Sequence, residues 1–159
     1  MSFGQCNYCT SIEEALIEPT QVEALDLSAQ SLTDLPESLN QLINLKRLDL
    51  SDNFLNEIDF EKIKLSQLTE LAVSNNPGFN GLNFNSVASA IPNLEELDLS
   101  NNAMKYISPE VSKLKNLKKL NLSDNQMSEI PQEVEEMISL RELNLENNEL
   151  ETKSLMFAQ

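Results

Sequence analysis

Leu94-Glu95-Glu96-Leu97-Asp98-Leu99-Ser100-Asn101-Asn102-Ala103-Met104 is the stretch from which the rest of this sequence is read. Leu94, Leu97 and Leu99 follow the spacing L-x-x-L-x-L. The short alternation Leu97-Asp98-Leu99 has the two-residue period of a strand with one buried face. A polar Asn102 comes next, then an apolar Met104. The same string recurs in both directions. Upstream it reads Val22, Leu25, Leu27 with Gln30 and Leu32; Leu45, Leu48, Leu50 with Asn53 and Leu55; and Leu68, Leu71, Val73 with Asn76. Downstream it reads Leu117, Leu120, Leu122 with Asn125 and Met127, then Leu140, Leu143, Leu145 with Asn148 and Leu150. The starts at 22, 45, 68, 94, 117 and 140 are separated by 23, 23, 26, 23 and 23 residues. Units of this length hide their apolar faces only by stacking on their neighbours.

Each unit should contribute one short strand, and stacked units should pair these strands in parallel. The asparagines at 53, 76, 102, 125 and 148 fall where the chain turns away from the strand. An amide there bonds backbone groups that the turn leaves unpaired, which makes a buried polar ladder tolerable. On the return path, Leu39 and Leu42, Ile63, Val87 and Ile91, Val111 and Leu114, and Val134 and Met137 supply apolar residues. Where two occur they are three or four apart, as one helical turn facing a core requires.

The pattern resembles the leucine-rich-repeat family in its 23-residue form, which carries an L-P or I-P step on the return path. Leu35-Pro36 and Ile130-Pro131 match that step, and Ile107-Ser108-Pro109 is a one-residue variant. The plain repeats look most like those of bacterial proteins and of simple intracellular eukaryotic ones. The resemblance covers residues 22 to about 151. It implies an α/β fold, a curved right-handed solenoid with a parallel sheet on its concave face and short α- or 3₁₀-turns on its convex face. The units then divide into an N-terminal cap over 1–21, six repeats over 22–151 and a tail over 152–159.

The ends of such a stack expose the core unless something covers them. Ser11-Ile12-Glu13-Glu14 reads as a capping box opening a helix over about 11–17, with Ile12, Leu16 and Ile17 set against the first repeat. At the other end only Leu155, Met156 and Phe157 remain to cover the last coil. A fold-back of 152–159 as a minimal cap is the preferred reading. Pairing with a second copy is an alternative, and so is a chain that is a fragment. Cys6 and Cys9 form one C-x-x-C with no further Cys and no His, too few ligands for a zinc ribbon. No strand is expected ahead of the helix, which argues against a thioredoxin-like motif. Incidental reduced thiols are the first reading and a local disulfide the second.

Charge and composition narrow the function. The 159 residues carry 26 acidic and 11 basic side chains, net −15, and no basic residue precedes Lys46. Such a surface repels nucleic acid and bare anionic membranes and accepts a basic protein. No stretch approaches the roughly 20 apolar residues of a membrane span. The first residues lack the charged and apolar regions of a secretory leader, so the compartment stays open between cytoplasm and export with the leader removed. Without His there is no Ser-His or Cys-His dyad, and with 3 Gly no phosphate-cradling loop occurs. Neither a cofactor nor a metal site is expected. Acidic pairs such as Asp49 and Asp98 recur because the repeat recurs.

The expected function is therefore non-enzymatic binding of a protein or peptide. The concave candidates are Arg47, Asp49, Glu70, Glu96, Asp98, Lys119, Asn121, Glu142 and Asn144. They belong to two outward columns flanked by a third of serines: Ser28, Ser51, Ser74, Ser100 and Ser123. This face reads as polar, acidic and without aromatics. A second candidate is the irregular third-repeat loop, Asn76-Pro77-Gly78-Phe79-Asn80-Gly81-Leu82-Asn83-Phe84, with Phe79, Leu82 and Phe84 as contacts or as core filling. Lys113, Lys115, Lys118 and Lys119 form a basic ridge that Glu133, Glu135 and Glu136 are expected to neutralise in part. The alternative function is self-assembly, a homodimer through the C-terminal end.

Overall fold

Stacking is what the repeat demands, and the computed structural model, which describes residues 6–151, shows it. Seven strands form one parallel sheet in sequence order: β1 Tyr8–Cys9, β2 Ala24–Asp26, β3 Arg47–Asp49, β4 Glu70–Ala72, β5 Glu96–Asp98, β6 Lys119–Asn121 and β7 Glu142–Asn144. The central residue of β2 to β7 is a leucine in every case. The register pairs Leu25 with Leu48, then Leu71, Leu97, Leu120 and Leu143. One inner row of side chains results, and Leu25 through Leu120 in it are 2% exposed or less. The sheet is curved and open.

Turning out of each strand requires a backbone conformation that most residues avoid. Asp52, Asn75, Asn101, Asp124 and Asn147 take φ between 53° and 57°, the left-handed region. Asn and Asp tolerate that region better than other side chains. Each stands just before a ladder asparagine. The ladder then closes the turn. Asn76 donates to the Leu50 and Val73 carbonyls at 3.2 and 3.1 Å and accepts from the Leu55 N–H at 3.0 Å. Asn53, Asn102, Asn125 and Asn148 likewise bridge their own coil and the preceding one. Among the described residues no buried side-chain nitrogen or oxygen lacks a partner. Gln30 takes a different place, donating to the Thr10 carbonyl at 2.7 Å and tying the first coil to the segment before it.

The return wall is less regular. Three coils carry 3₁₀ turns, Glu37–Gln41, Pro109–Lys113 and Gln132–Glu136, and the third carries the helix α2, Phe84–Ala90. Asn83 caps α2 by accepting from the Asn85 and Ser86 N–H groups. The coil around Ile63 has no helix, only the Ile63 N–H to Phe60 carbonyl bond of a single turn.

At the N-terminus three expectations change. β1 pairs in parallel with β2, Tyr8 opposite Ala24 and Cys9 opposite Leu25, so a strand does precede the helix. Cys6 and Cys9 are joined as a disulfide rather than left as thiols. The helix, α1, is shorter than expected, Ile12–Ala15. Ser11 accepts from the Glu14 N–H at 3.1 Å, and Glu14 reaches back to the Thr10 N–H at 3.1 Å, one residue short of the reciprocal box. Ile12 and Leu16 pack on the core, whereas Ile17 points to solvent because the helix ends before it. The expected fold-back of 152–159 lies outside the described residues.

Candidate functional site

Alternation along each strand turns one residue in two outward, so the concave face is built from the residues either side of the buried leucines. The register places Tyr8, Ala24, Arg47, Glu70, Glu96, Lys119 and Glu142 in one column. Asp26, Asp49, Ala72, Asp98, Asn121 and Asn144 form the next. All nine concave candidates therefore share one face, and a shallow groove of about 750 Å³ runs over it from Arg47 to Asn144.

The first column neutralises itself in part, two cations standing against three carboxylates. Arg47 grips Glu70 through two bonds, Nε to Oε2 at 2.5 Å and a guanidinium NH2 group to Oε1 at 3.0 Å. Lys119 lies between Glu96 at 3.3 Å and Glu142 at 3.9 Å. Both cations have their pKa raised, Arg47 by the Glu70 bond first and Lys119 by the Glu96 bond first. These pairs are exposed, so salt screens them and each contributes little to stability. In the second column Asp49, Asp98, Asn121 and Asn144 each accept the N–H of the residue two ahead, at 2.9 to 3.2 Å. One oxygen of each is therefore already occupied in shaping the turn.

The third column faces solvent only in part. Ser51 and Ser123 are buried, Ser28, Ser74 and Ser100 are half-buried, and the Ser74 hydroxyl donates to Ser51 at 2.9 Å. The basic ridge also pairs differently. Lys118 meets Glu95 at 2.7 Å and Lys113 meets Asn85, both in preceding coils, and no ion pair with Glu133, Glu135 or Glu136 occurs among the described residues.

Tyr8 corrects the expectation of a face without aromatics. It is 56% exposed, and its hydroxyl donates to Asp26 at 2.9 Å. That bond, helped by partial burial and by the charges of Asp26 and Asp49, raises the phenol's pKa. Asp26 is lowered, mainly by bonds from Ser28 and then from Tyr8. Tyr8 and Arg47 stand one strand to either side of the small Ala24. Sequence reading missed Tyr8 because two residues are too short a run to show periodicity.

The loop candidates are placed elsewhere. Phe79, Leu82 and Phe84 are 0%, 8% and 2% exposed and fill the enlarged third coil. Their side chains are core filling first, and what Leu82 and Phe84 still expose lines a lateral groove. For a metal, only Cys6, Cys9 and Glu14 bring three ligand atoms within 4.8 Å among the described residues. The two sulfurs are bonded to each other, which removes the thiolates a metal would need. No helix among the described residues is long and apolar enough to cross a membrane.

Comparison with known proteins agrees with this geometry. Family models described as leucine-rich repeat match residues 92–150 and 44–64. A leucine-rich-repeat protein of Leptospira interrogans is 33% identical over 89% of this chain, with a TM-score of 0.74. The chain is a leucine-rich-repeat protein. The leucine-rich-repeat ectodomain of the plant membrane receptor kinase GASSHO1/SCHENGEN3 from Arabidopsis thaliana, in complex with Casparian strip integrity factor 2, is 38% identical over 90% of this chain (TM-score 0.67). TLR13 in complex with ssRNA13 is 26% identical over 90% of it (TM-score 0.76). This chain spans 35%, 17% and 20% of those three proteins. No curated protein matches it. Leucine-rich-repeat domains generally mediate protein–protein interaction, and the family is typically non-enzymatic.

Proposed function

We propose that this chain is a non-catalytic interaction module whose concave sheet holds a protein or peptide segment, anchored at the Tyr8–Arg47 end. The observation that carries this reading is the pairing of an exposed Tyr8 with Arg47 across Ala24. Tyr and Arg dominate the energetics of protein interfaces, and a small residue between them leaves room for a partner's side chain. The remaining concave candidates, Asp49, Glu70, Glu96, Asp98, Lys119, Asn121, Glu142 and Asn144, supply a polar, salt-sensitive rim. The ssRNA complex of TLR13 makes nucleic acid a fair comparison. Here a net charge of −15 opposes a polyanion. Asp49 and Asp98 serve turns, and no cofactor or metal is part of the reading.

The test is affinity capture from the source cell with the native chain beside a Tyr8→Ala/Arg47→Ala variant, followed by calorimetry on whatever is retained. Loss of a partner with the variant, and weakening as salt rises, is the expected result. Equal retention by both proteins would remove the concave face from the account.

A second reading, self-association through the C-terminal end, has one observation behind it. Leu140, Leu143 and Leu145 are half-buried, whereas Leu117, Leu120 and Leu122 in the preceding coil are fully buried. Light scattering over a range of concentrations separates the two readings. A mass that stays at one chain excludes the dimer.

A further inference from the structure

The three extra residues of the third coil change the side of the solenoid as well as its interior. Beside Leu82 the chain runs through Asn80, Gly81 and Asn83 before α2 begins. Gly81 has a φ of 141°, and a Cβ built there would meet nothing within 4 Å. Gly81 lines a groove of about 520 Å³ between the second and fourth coils. Glu57, Asp59 and Glu61 line it from the second coil, and Tyr106 and Ser108 from the fourth. Ile58, Leu82 and Ile107 form an apolar bottom.

We propose that this lateral groove is a docking site for a basic segment of a partner protein, with an arginine or lysine seated against Tyr106 and the Glu57, Asp59 and Glu61 rim. The proposal goes beyond the concave-face reading and stands apart from it. The argument is charge complementarity, set against the concave groove, which Arg47, Lys119 and Arg141 line. On the concave face Glu70, Glu96 and Glu142 are each matched by Arg47 or Lys119. On the flank Glu23 and Glu95 are matched by Lys46 and Lys118. Glu57, Asp59 and Glu61 enter no ion pair among the described residues, and no Lys or Arg lines their groove. Only one of their oxygens has an internal use, Asp59 Oδ1 accepting the Glu61 N–H at 2.7 Å.

An apolar floor beneath an unpaired acidic rim suits a side chain with an alkyl stem and a cationic tip. Tyr106, 64% exposed, lines the same groove, and an aromatic ring attracts a cation. Arginine fits best, since its planar head stacks on an aromatic ring while bonding carboxylates.

The experiment uses the whole chain and a fluorescein-labelled peptide of alternating glycine and arginine, with the glycine–glutamate peptide as control, read by anisotropy. Glu57→Gln/Asp59→Asn/Glu61→Gln removes the rim charge and keeps every acceptor. Glu133→Gln/Glu135→Gln/Glu136→Gln changes net charge equally on another coil, where Glu135 and Glu136 are exposed and Glu133 is half-buried. The groove variant should weaken the arginine peptide roughly tenfold, the sum expected of three exposed ion pairs. Tyr106→Ala should weaken it about threefold. The equal-charge variant and the concave Tyr8→Ala/Arg47→Ala variant should stay within about twofold, so failure of the concave reading is seen separately. Equal weakening by both triple variants means the peptide reads net charge alone, and the proposal falls. It falls too if the native chain binds the arginine and glutamate peptides alike.

Discussion

The strand wall and the return wall of the third coil respond differently to the same insertion. The spacing from Leu71 to Leu97 is three residues longer than elsewhere, yet the two pair in the register that joins Leu48 to Leu71. All of the surplus is taken up on the return path, where Phe79, Leu82 and Phe84 fill the larger coil and α2 replaces a 3₁₀ turn. The reason lies in the backbone. Parallel strands are locked by ladder hydrogen bonds, and a one-residue slip would turn every leucine to solvent. The return segments have few bonds across coils and can lengthen while their side chains refill the space. The two proposed docking faces divide along the same line, a regular concave face and one irregular flank.

That contrast can be broken at its largest effect first. Phe79→Ala should cost about 3–5 kcal/mol in urea unfolding, because it empties a ring-sized volume of the enlarged coil. A cost below that of Leu71→Ala, about 2–5 kcal/mol, would mean the return wall repacks readily. Next, Asn76→Ala leaves the Leu55 N–H without its partner and takes one of two amide donors from the Leu50 and Val73 carbonyls, and should cost about 1–3 kcal/mol. Inserting one glycine after Gly81 should cost about 1 kcal/mol or less, since lengthening a loop is entropically cheap. The same insertion between Leu97 and Asp98 should abolish folding beyond that point. Equal tolerance at both places would contradict the division of labour.

Two smaller effects sharpen the picture at the first coil. Ala29 has a φ of 54° without the side chain that eases it, so Ala29→Gly should stabilise by up to about 1 kcal/mol. Asp26 titrates below the ordinary carboxylate range, so its contribution is complete above that range. It is lost as pH falls through the lowered value. The Tyr8 bond should loosen over the same acidic interval, which tyrosine fluorescence can follow. Asp26→Asn should flatten that response.

Much of the concave site was legible before any coordinates. Arg47, Glu70, Glu96, Lys119 and Glu142 recur at one position of the repeat, and a period-two strand must turn them the same way. Less legible were the serines: each precedes a left-handed residue, yet Ser51 and Ser123 are buried while Ser28, Ser74 and Ser100 are half-buried. Lys118 was assigned to acids ahead of it in sequence and pairs instead with Glu95 behind it. Nothing in a charge pattern says which neighbouring coil a flexible lysine will reach.

What the amino-acid order determined alone was the repeat, and with it the parallel sheet, the leucine row and the asparagine ladder. Periodic burial has one economical solution when each unit needs the next to leave water. The tertiary structure decided what is not periodic: that Tyr8 joins the concave face through β1, that Cys6 closes on Cys9, that the third-coil phenylalanines turn inward, and that Glu57, Asp59 and Glu61 are left around an open groove. These features depend on which segments meet in space, and a pattern that repeats along the chain carries no information about the places where it stops repeating.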